Sequence, residues 1–183
     1  MRKRRAIIFD DEPVVLDVFK LFFELRGYEV LTFREPVTCV VYGDQAECPR
    51  PSPCADIIIT DFRMPKMNGL DMLRVQAAHG CKLTAKNKAL ISGYIGDEQR
   101  GMVEELGAAF FSKPVDFDEL MAWVDSCEPR MDLSQPVAIK RREARHACSL
   151  EVLFGTKQTD DILRGTTVNM STAGACLRTQ HQL

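Results

Sequence analysis

Short apolar runs alternate with stretches of helical spacing over the first two thirds of the chain. Ala6-Ile7-Ile8-Phe9 lies between basic residues and Asp10, and so predicts a buried strand over Arg5–Asp10. From Pro13 the period changes. Val15, Val18, Phe19, Phe22 and Leu25 fall on one helical face, Pro13 suits a first turn, and Gly27 can supply a left-handed cap. Tyr28–Phe33 reads as a second strand, and Pro36 opens a shorter helix towards Val41. Gly43–Pro53, with Pro49, Pro51 and Pro53, reads as a surface loop. The β-branched run Ile57-Ile58-Ile59-Thr60 is a third strand. Leu70–Ala78 then predicts a helix, Ala89–Ser92 a fourth strand, Asp97–Leu106 a helix, Ala108–Ser112 a fifth strand and Phe117–Cys127 a last helix.

Strands alternating with helices imply crossover connections and a doubly wound parallel sheet of five strands. Continuous apolar runs in those strands imply that both faces of the sheet are covered. Ligands of such sheets sit beyond the carboxyl ends of the strands. That edge carries Asp10 and Asp11 after the first strand, Asp61 after the third, Ser92 at the end of the fourth and Lys113 after the fifth. Three carboxylates crowded together repel, and a hard cation such as magnesium resolves the repulsion. A carboxylate beside such a cation can act as a nucleophile towards phosphorus. Lys113 and the Ser92 hydroxyl can pair with phosphoryl oxygens. One acid at a strand end is ordinarily a solvated cap; the set in this order is not.

The motifs around these residues resemble the receiver domain of two-component response regulators. They are Ile7-Ile8-Phe9-Asp10-Asp11-Glu12-Pro13, Thr60-Asp61-Phe62-Arg63-Met64-Pro65-Lys66-Met67-Asn68-Gly69, Ile91-Ser92-Gly93 and Ser112-Lys113-Pro114. The resemblance implies a flavodoxin-like receiver over residues 1–127, with Asp61 as phosphoacceptor. It implies a Mg2+ ion held by Asp11, Asp61 and the Arg63 carbonyl, with Asp10 positioning the metal and its waters. It also implies Ser92 as switch hydroxyl, Lys113 as phosphate partner and Phe110, three positions before that lysine, as aromatic switch. The implied partner is a sensor histidine kinase or phosphotransfer protein, and the implied role is that of a switch rather than an enzyme. A receiver homodimer is a further expectation of the family, with no decisive pattern in this sequence. The Gly43–Pro53 loop is long for a receiver, but it precedes the third strand and lies away from the active edge.

Composition is that of an ordinary globular chain: 183 residues, 45% hydrophobic and 27% charged. No run approaches the roughly 18–20 apolar residues of a membrane span, and the apolar run after the basic N-terminus is too short for a signal peptide. A cytoplasmic location is therefore the expectation. Seven cysteines form no CxxC pair, and only Cys48 and Cys54 lie close together, so inert thiols are expected. The net charge of −2 conceals a division: residues 137–183 hold seven Lys/Arg against four Asp/Glu.

Residues 128–136 read as a linker on the strength of Pro129 and Pro136. Beyond it the pattern turns to short strands, at Leu150–Phe154, Ile162–Val168 and from Ala175, with a polar turn over Gly155–Asp161. No recognition helix is visible, so a DNA-binding output is disfavoured. Arg141, Arg142 and Arg145 precede the strands, and Asn169, Ser171 and Gly174 stand in N-x-S-x-x-G spacing. Guanidiniums can clamp phosphates or lie across a purine. Singly these are an ordinary basic linker and an ordinary turn; in this order they resemble the PilZ domain, a small β-barrel that binds cyclic di-GMP. The resemblance implies that these six residues contact that ligand. Residues 137–183 supply only the first part of such a barrel, so a shortened, loosely ordered domain with weak binding is expected. The alternatives are a DNA-binding regulator, a receiver acting by protein contact alone, and a phosphatase with its nucleophile at Asp10.

Overall fold

The computed structural model describes residues 2–36, 47–135, 137, 146–147, 150–156, 159–171 and 174–178. They fall into two units, residues 1–139 and 140–183. The helix expected from Pro36 to Val41 lies outside the described residues after Pro36, as does the Gly43–Ala46 part of the loop; Glu47–Pro53 contains neither helix nor strand.

Among the described residues the first unit holds five strands: β1 (Arg5–Phe9), β2 (Glu29–Phe33), β3 (Ile57–Asp61), β4 (Lys88–Ser92) and β5 (Ala109–Ser112). All pair in parallel, in the order β2-β1-β3-β4-β5. That order reverses at β1, which places the ligand crevice at the carboxyl ends of β1 and β3. Among the described residues four α-helices accompany the strands: α1 (Pro13–Leu25), α2 (Gly69–Ala78), α3 (Asp97–Glu105) and α4 (Phe117–Cys127). Pro13 stands in the first turn of α1 and Gly27 follows its end at φ 80°, where other residues are strained. Asn68 caps α2 by accepting from the Asp71 amide, and Asp116 caps α4 by accepting from Asp118 and Glu119.

Alternate strand residues feed two cores. Ala6, Ile8, Ile57, Ile59, Ala89, Ile91 and Phe111 meet Leu16, Phe19 and Phe23 of α1 and Leu120 and Val124 of α4. On the other face Ile7, Phe9, Ile58 and Leu90 meet Leu70, Met72 and Leu73 of α2 and Val103 of α3. Both faces are covered, as the uninterrupted apolar strands require.

The stretch read as a linker begins as part of this unit. Asp56 is buried at the amino end of β3 and accepts from Arg2 Nη1 at 2.6 Å, Arg2 Nη2 at 2.7 Å and the Arg5 amide at 2.7 Å. Arg2 also donates to the carbonyls of Gln135 at 2.6 Å and Asp132 at 3.1 Å. Arg130 Nε donates to buried Asn87 at 2.7 Å, and Arg4 pairs with Glu128 at 2.9 Å. The basic N-terminus is therefore consumed in tying down the segment that leaves α4.

Tyr28 is buried beside this collar and donates to Glu128 Oε1 at 3.2 Å. Burial, reinforced by the Glu128 charge, pushes the phenol well above its ordinary value near 10. A raised folded-state pKa stabilises the fold fully below the unfolded value and loses that stabilisation as pH rises from about 10. The stability difference between the wild-type chain and Tyr28→Phe should accordingly shrink between pH 8 and pH 11 in urea titrations. A difference that stays constant or grows would contradict this.

In the second unit, β6 (His146–Ala147), β7 (Glu151–Thr156), β8 (Thr159–Ser171) and β9 (Gly174–Arg178) form an antiparallel sheet. Thr166 pairs with both Glu151 and Arg178, and Asn169 with both Ala147 and Cys176. Hence β9 runs along one edge of β8 while β7 and β6 follow each other along its other edge. One expectation changes. The polar stretch over Gly155–Asp161 is mostly strand, because β7 and β8 continue their pairing to Thr156 and Thr159. Among the described residues these four strands make an open sheet.

Candidate functional site

The carboxyl ends of the strands bring Asp10, Asp11, Asp61, Ser92 and Lys113 together, as the sequence implied. Asp10 and Asp61 are buried, with exposures of 2% and 6%. Lys113 Nζ lies between them, 3.1 Å from Asp10 Oδ2 and 2.7 Å from Asp61 Oδ1. The lysine is placed by the sheet itself, since its amide donates to the Ser92 carbonyl at 2.8 Å and extends the β4–β5 ladder. Asp10 Oδ1 also accepts from the Glu12 amide at 2.9 Å. Asp61 Oδ2 accepts from the Arg63 amide at 2.5 Å. The Ser92 hydroxyl donates to the Tyr94 carbonyl at 2.9 Å. The Asp11 carbonyl is held by Arg34 Nε at 3.1 Å.

The electrostatics follow from this crowding. Burial raises the Asp10 carboxyl above the usual range, the Asp61 charge adds to the rise, and the Glu12 amide and Lys113 oppose it. For Lys113 burial alone would favour the neutral amine, but hydrogen bonds and charge from Asp61 and Asp10 outweigh it, and the net shift is upward.

A cleft opens over this edge, lined by Asp11, Glu12, Asp61, Arg63, Ser92, Gly93, Tyr94 and Lys113. Asp10 is not part of the lining. Among the described residues no three Asp, Glu, His or Cys side chains converge on a ready cation position. Magnesium, however, commonly takes one or two carboxylates and keeps several waters. Asp11, Asp61 and Arg63 all line the cleft, which suits that habit, and the surplus of carboxylate over Lys113 favours a divalent cation.

Gly69 packs closely against the backbone of Asp61. A Cβ there would sit 2.1 Å from the Asp61 carbonyl oxygen, and the Gly69 amide donates to the Phe62 carbonyl at 2.9 Å. The turn between Asp61 and α2 also holds Lys66 at φ 70°. Phe110 is half-buried on β5 with Arg100 of α3 over its ring.

Of the residues expected to bind cyclic di-GMP, Arg141, Arg142 and Arg145 lie outside the described residues. Asn169 and Ser171 end β8 and Gly174 begins β9, with Ser171 paired to Gly174. Sequence reasoning missed Tyr94, Arg34 and the bridging of Asp10 and Asp61 by Lys113. Their positions depend on which loops meet across the sheet edge, and no local pattern records that.

A parallel sheet in this order, with an acidic crevice and a lysine at its edge, is the arrangement of the receiver fold. Residues 6–125 match the family described as the response regulator receiver domain, and the chain belongs to that family. It is similar to a probable transcriptional regulatory protein of Picosynechococcus, 28% identical over 66% of this chain and 47% of that protein. It is also similar to the sensory/regulatory protein RpfC of Xanthomonas campestris, 33% identical over 63% of this chain and 15% of that one. The chain thus spans less than half the length of these relatives. A response regulator receiver protein from Pseudomonas putida shares the fold, with a TM-score of 0.55 and 24% identity over 69% of this chain and 98% of that structure. The chain therefore carries the receiver domain of a two-component response regulator. Among the described residues Cys48, Cys81 and Cys127 are free thiols, and no helix is long and apolar enough to cross a membrane.

Proposed function

We propose that Asp61 accepts a phosphoryl group from a phosphohistidine of a sensor kinase or phosphotransfer protein, and that the chain acts as a switch, not as a turnover enzyme. The observation that carries this is the difference between the two buried acids: Asp61 lines the cleft, whereas Asp10 does not. An Asp61 carboxylate oxygen forms the new bond to phosphorus while the phosphorus–nitrogen bond breaks and its electron pair stays on the donor imidazole. Lys113, already 2.7 Å from Asp61, pairs with a phosphoryl oxygen, and the Ser92 hydroxyl leaves the Tyr94 carbonyl to donate to another. Asp11, Asp61 and the Arg63 carbonyl would hold Mg2+, with Asp10 ordering its waters. Bound there, Mg2+ would neutralise charge on the phosphoryl oxygens. Phe110 would follow Ser92 inward.

The test is labelling with acetyl phosphate, with and without Mg2+, followed by mapping of the modified residue. Modification of Asp61 is expected, dependent on Mg2+ and at least about 100-fold slower in Asp61→Asn. Modification of Asp10 instead would favour the phosphatase alternative and refute this reading.

We infer, as a second reading, that the C-terminal unit is an output taking cyclic di-GMP. The observation favouring it is the pairing of Ser171 at the end of β8 with Gly174 at the start of β9, with Asn169 two residues before on β8. Arg141, Arg142 and Arg145 would supply the phosphate and purine contacts. Saturable heat on calorimetric titration with cyclic di-GMP, lost in an Arg141→Ala/Arg145→Ala chain, is the expected result. Absence of binding would leave the receiver to act through protein contacts.

A further inference from the structure

Residues facing each other on paired parallel strands point to the same side of the sheet, and so do residues two apart on one strand. Phe110 of β5 is in register with Leu90 of β4, and Ser112 with Ser92. Phe110 and Ser92 are therefore diagonal neighbours on one face, close enough for an aromatic ring to occupy the space beside the serine. In this structure the ring is engaged elsewhere. It packs with the core containing Leu90 and Val103, and the Arg100 guanidinium stands 5.2 Å from its centroid. Arg100 lies one turn before buried Val103 on α3, so the helix that covers this face aims the cation at the ring. Its carboxylate partner is loose: Glu104 is 3.9 Å away, and the two side chains are 60% and 72% exposed. An exposed pair of that kind holds little, which leaves the guanidinium to the aromatic face.

We propose that Arg100 is a positioning residue that holds Phe110 against α3 in the resting receiver, so that the ring must leave a cation–π contact before it can fill the space beside Ser92. The proposal rests on the reading of Ser92 and Phe110 as the switch pair of a phosphorylated Asp61. The latch sets a threshold: it disfavours the inward ring without touching phosphate, metal or donor. Its removal raises the population of the inward ring and speeds reactions that need it. An exposed cation–π contact corresponds to a change of about two- to fivefold in such an equilibrium.

The test uses the full chain with 4-fluorophenylalanine placed at position 110, in the wild type, Arg100→Gln and Arg100→Lys. The exposed Arg100 side chain makes both substitutions compatible with the fold, and unchanged thermal midpoints check this. In unphosphorylated Arg100→Gln the fluorine resonance is expected to move away from its wild-type position. Labelling of Asp61 by acetyl phosphate is expected to rise about two- to fivefold, with Arg100→Lys restoring part of both effects. A resting fluorine signal unchanged by Arg100→Gln overturns the proposal, and so does a moved signal with an unchanged labelling rate. The resting signal needs no phosphoryl transfer. A chain that failed to label at all would refute the phosphoacceptor reading and the threshold with it, while the Arg100–Phe110 contact would still be judged by the fluorine signal.

Discussion

A Gly69→Ala chain is expected to lose about 3 kcal/mol or more of stability and to label poorly at Asp61. The added methyl would meet the Asp61 carbonyl oxygen at 2.1 Å, Leu90 Cδ1 at 2.8 Å and Thr60 Oγ1 at 2.9 Å. The first of these is backbone and cannot rotate aside. Either the amino end of α2 lifts, breaking the bond from the Gly69 amide to the Phe62 carbonyl, or the strand end that carries Asp61 shifts. Gly101 supplies the contrast. It lies inside α3, and a methyl added there would meet nothing within 4 Å. Ala at that position should stabilise by about 0.4–1 kcal/mol. Urea titrations of the two variants should move in opposite directions. A Gly69→Ala chain as stable as the parent would mean that the packing of α2 on the end of β3 yields more easily than a backbone contact at that distance permits.

Lys113→Met is the second large effect. Lys113 is the ammonium between two carboxylates whose side chains are 3% and 7% exposed. Its loss leaves two buried like charges without a cation. Removing one partner of a buried ion pair costs roughly 3–5 kcal/mol, and the 29% exposure of Lys113 reduces this to an expected loss of about 2–4 kcal/mol at neutral pH. Because the deficit is one of positive charge, Mg2+ should raise the thermal midpoint of Lys113→Met more than that of the parent. Melting curves in EDTA and in excess Mg2+ separate the cases. Equal shifts in the two proteins would show that the metal and the lysine do not answer to the same carboxylates.

The parallel sheet was legible because its strands are short, continuous and apolar, and because each is followed by a charged or polar residue. The ends of β1, β3 and β4 agree with expectation to within one residue. The acidic crevice was legible for the same reason: a doubly wound sheet puts all its strand ends on one side, so residues far apart in sequence are assigned to one place by topology alone. The collar around Arg2 was not. Charged residues near Pro129 read as solvated linker, and nothing local says that Asp56, fifty-four positions after Arg2, turns a basic end into a clasp. In the second unit Gly155–Asp161 read as a turn because Gly and Asp weaken strand propensity. Pairing with the facing strand overrides that preference, and the strands run on to Thr156 and from Thr159.

The clasp has a mechanical consequence. Arg2 is hydrogen-bonded both to Asp56 and to the carbonyls of Asp132 and Gln135. The first residues of the receiver and the segment leaving it are thus cross-tied at the pole opposite the acidic crevice. Tension between those two segments would be borne first by the fork of Arg2, as by a buckle, and the strands that carry Asp10 and Asp61 would lie outside the load path. Pulling on a neighbouring domain would therefore strain the buckle before it disturbed the chemistry.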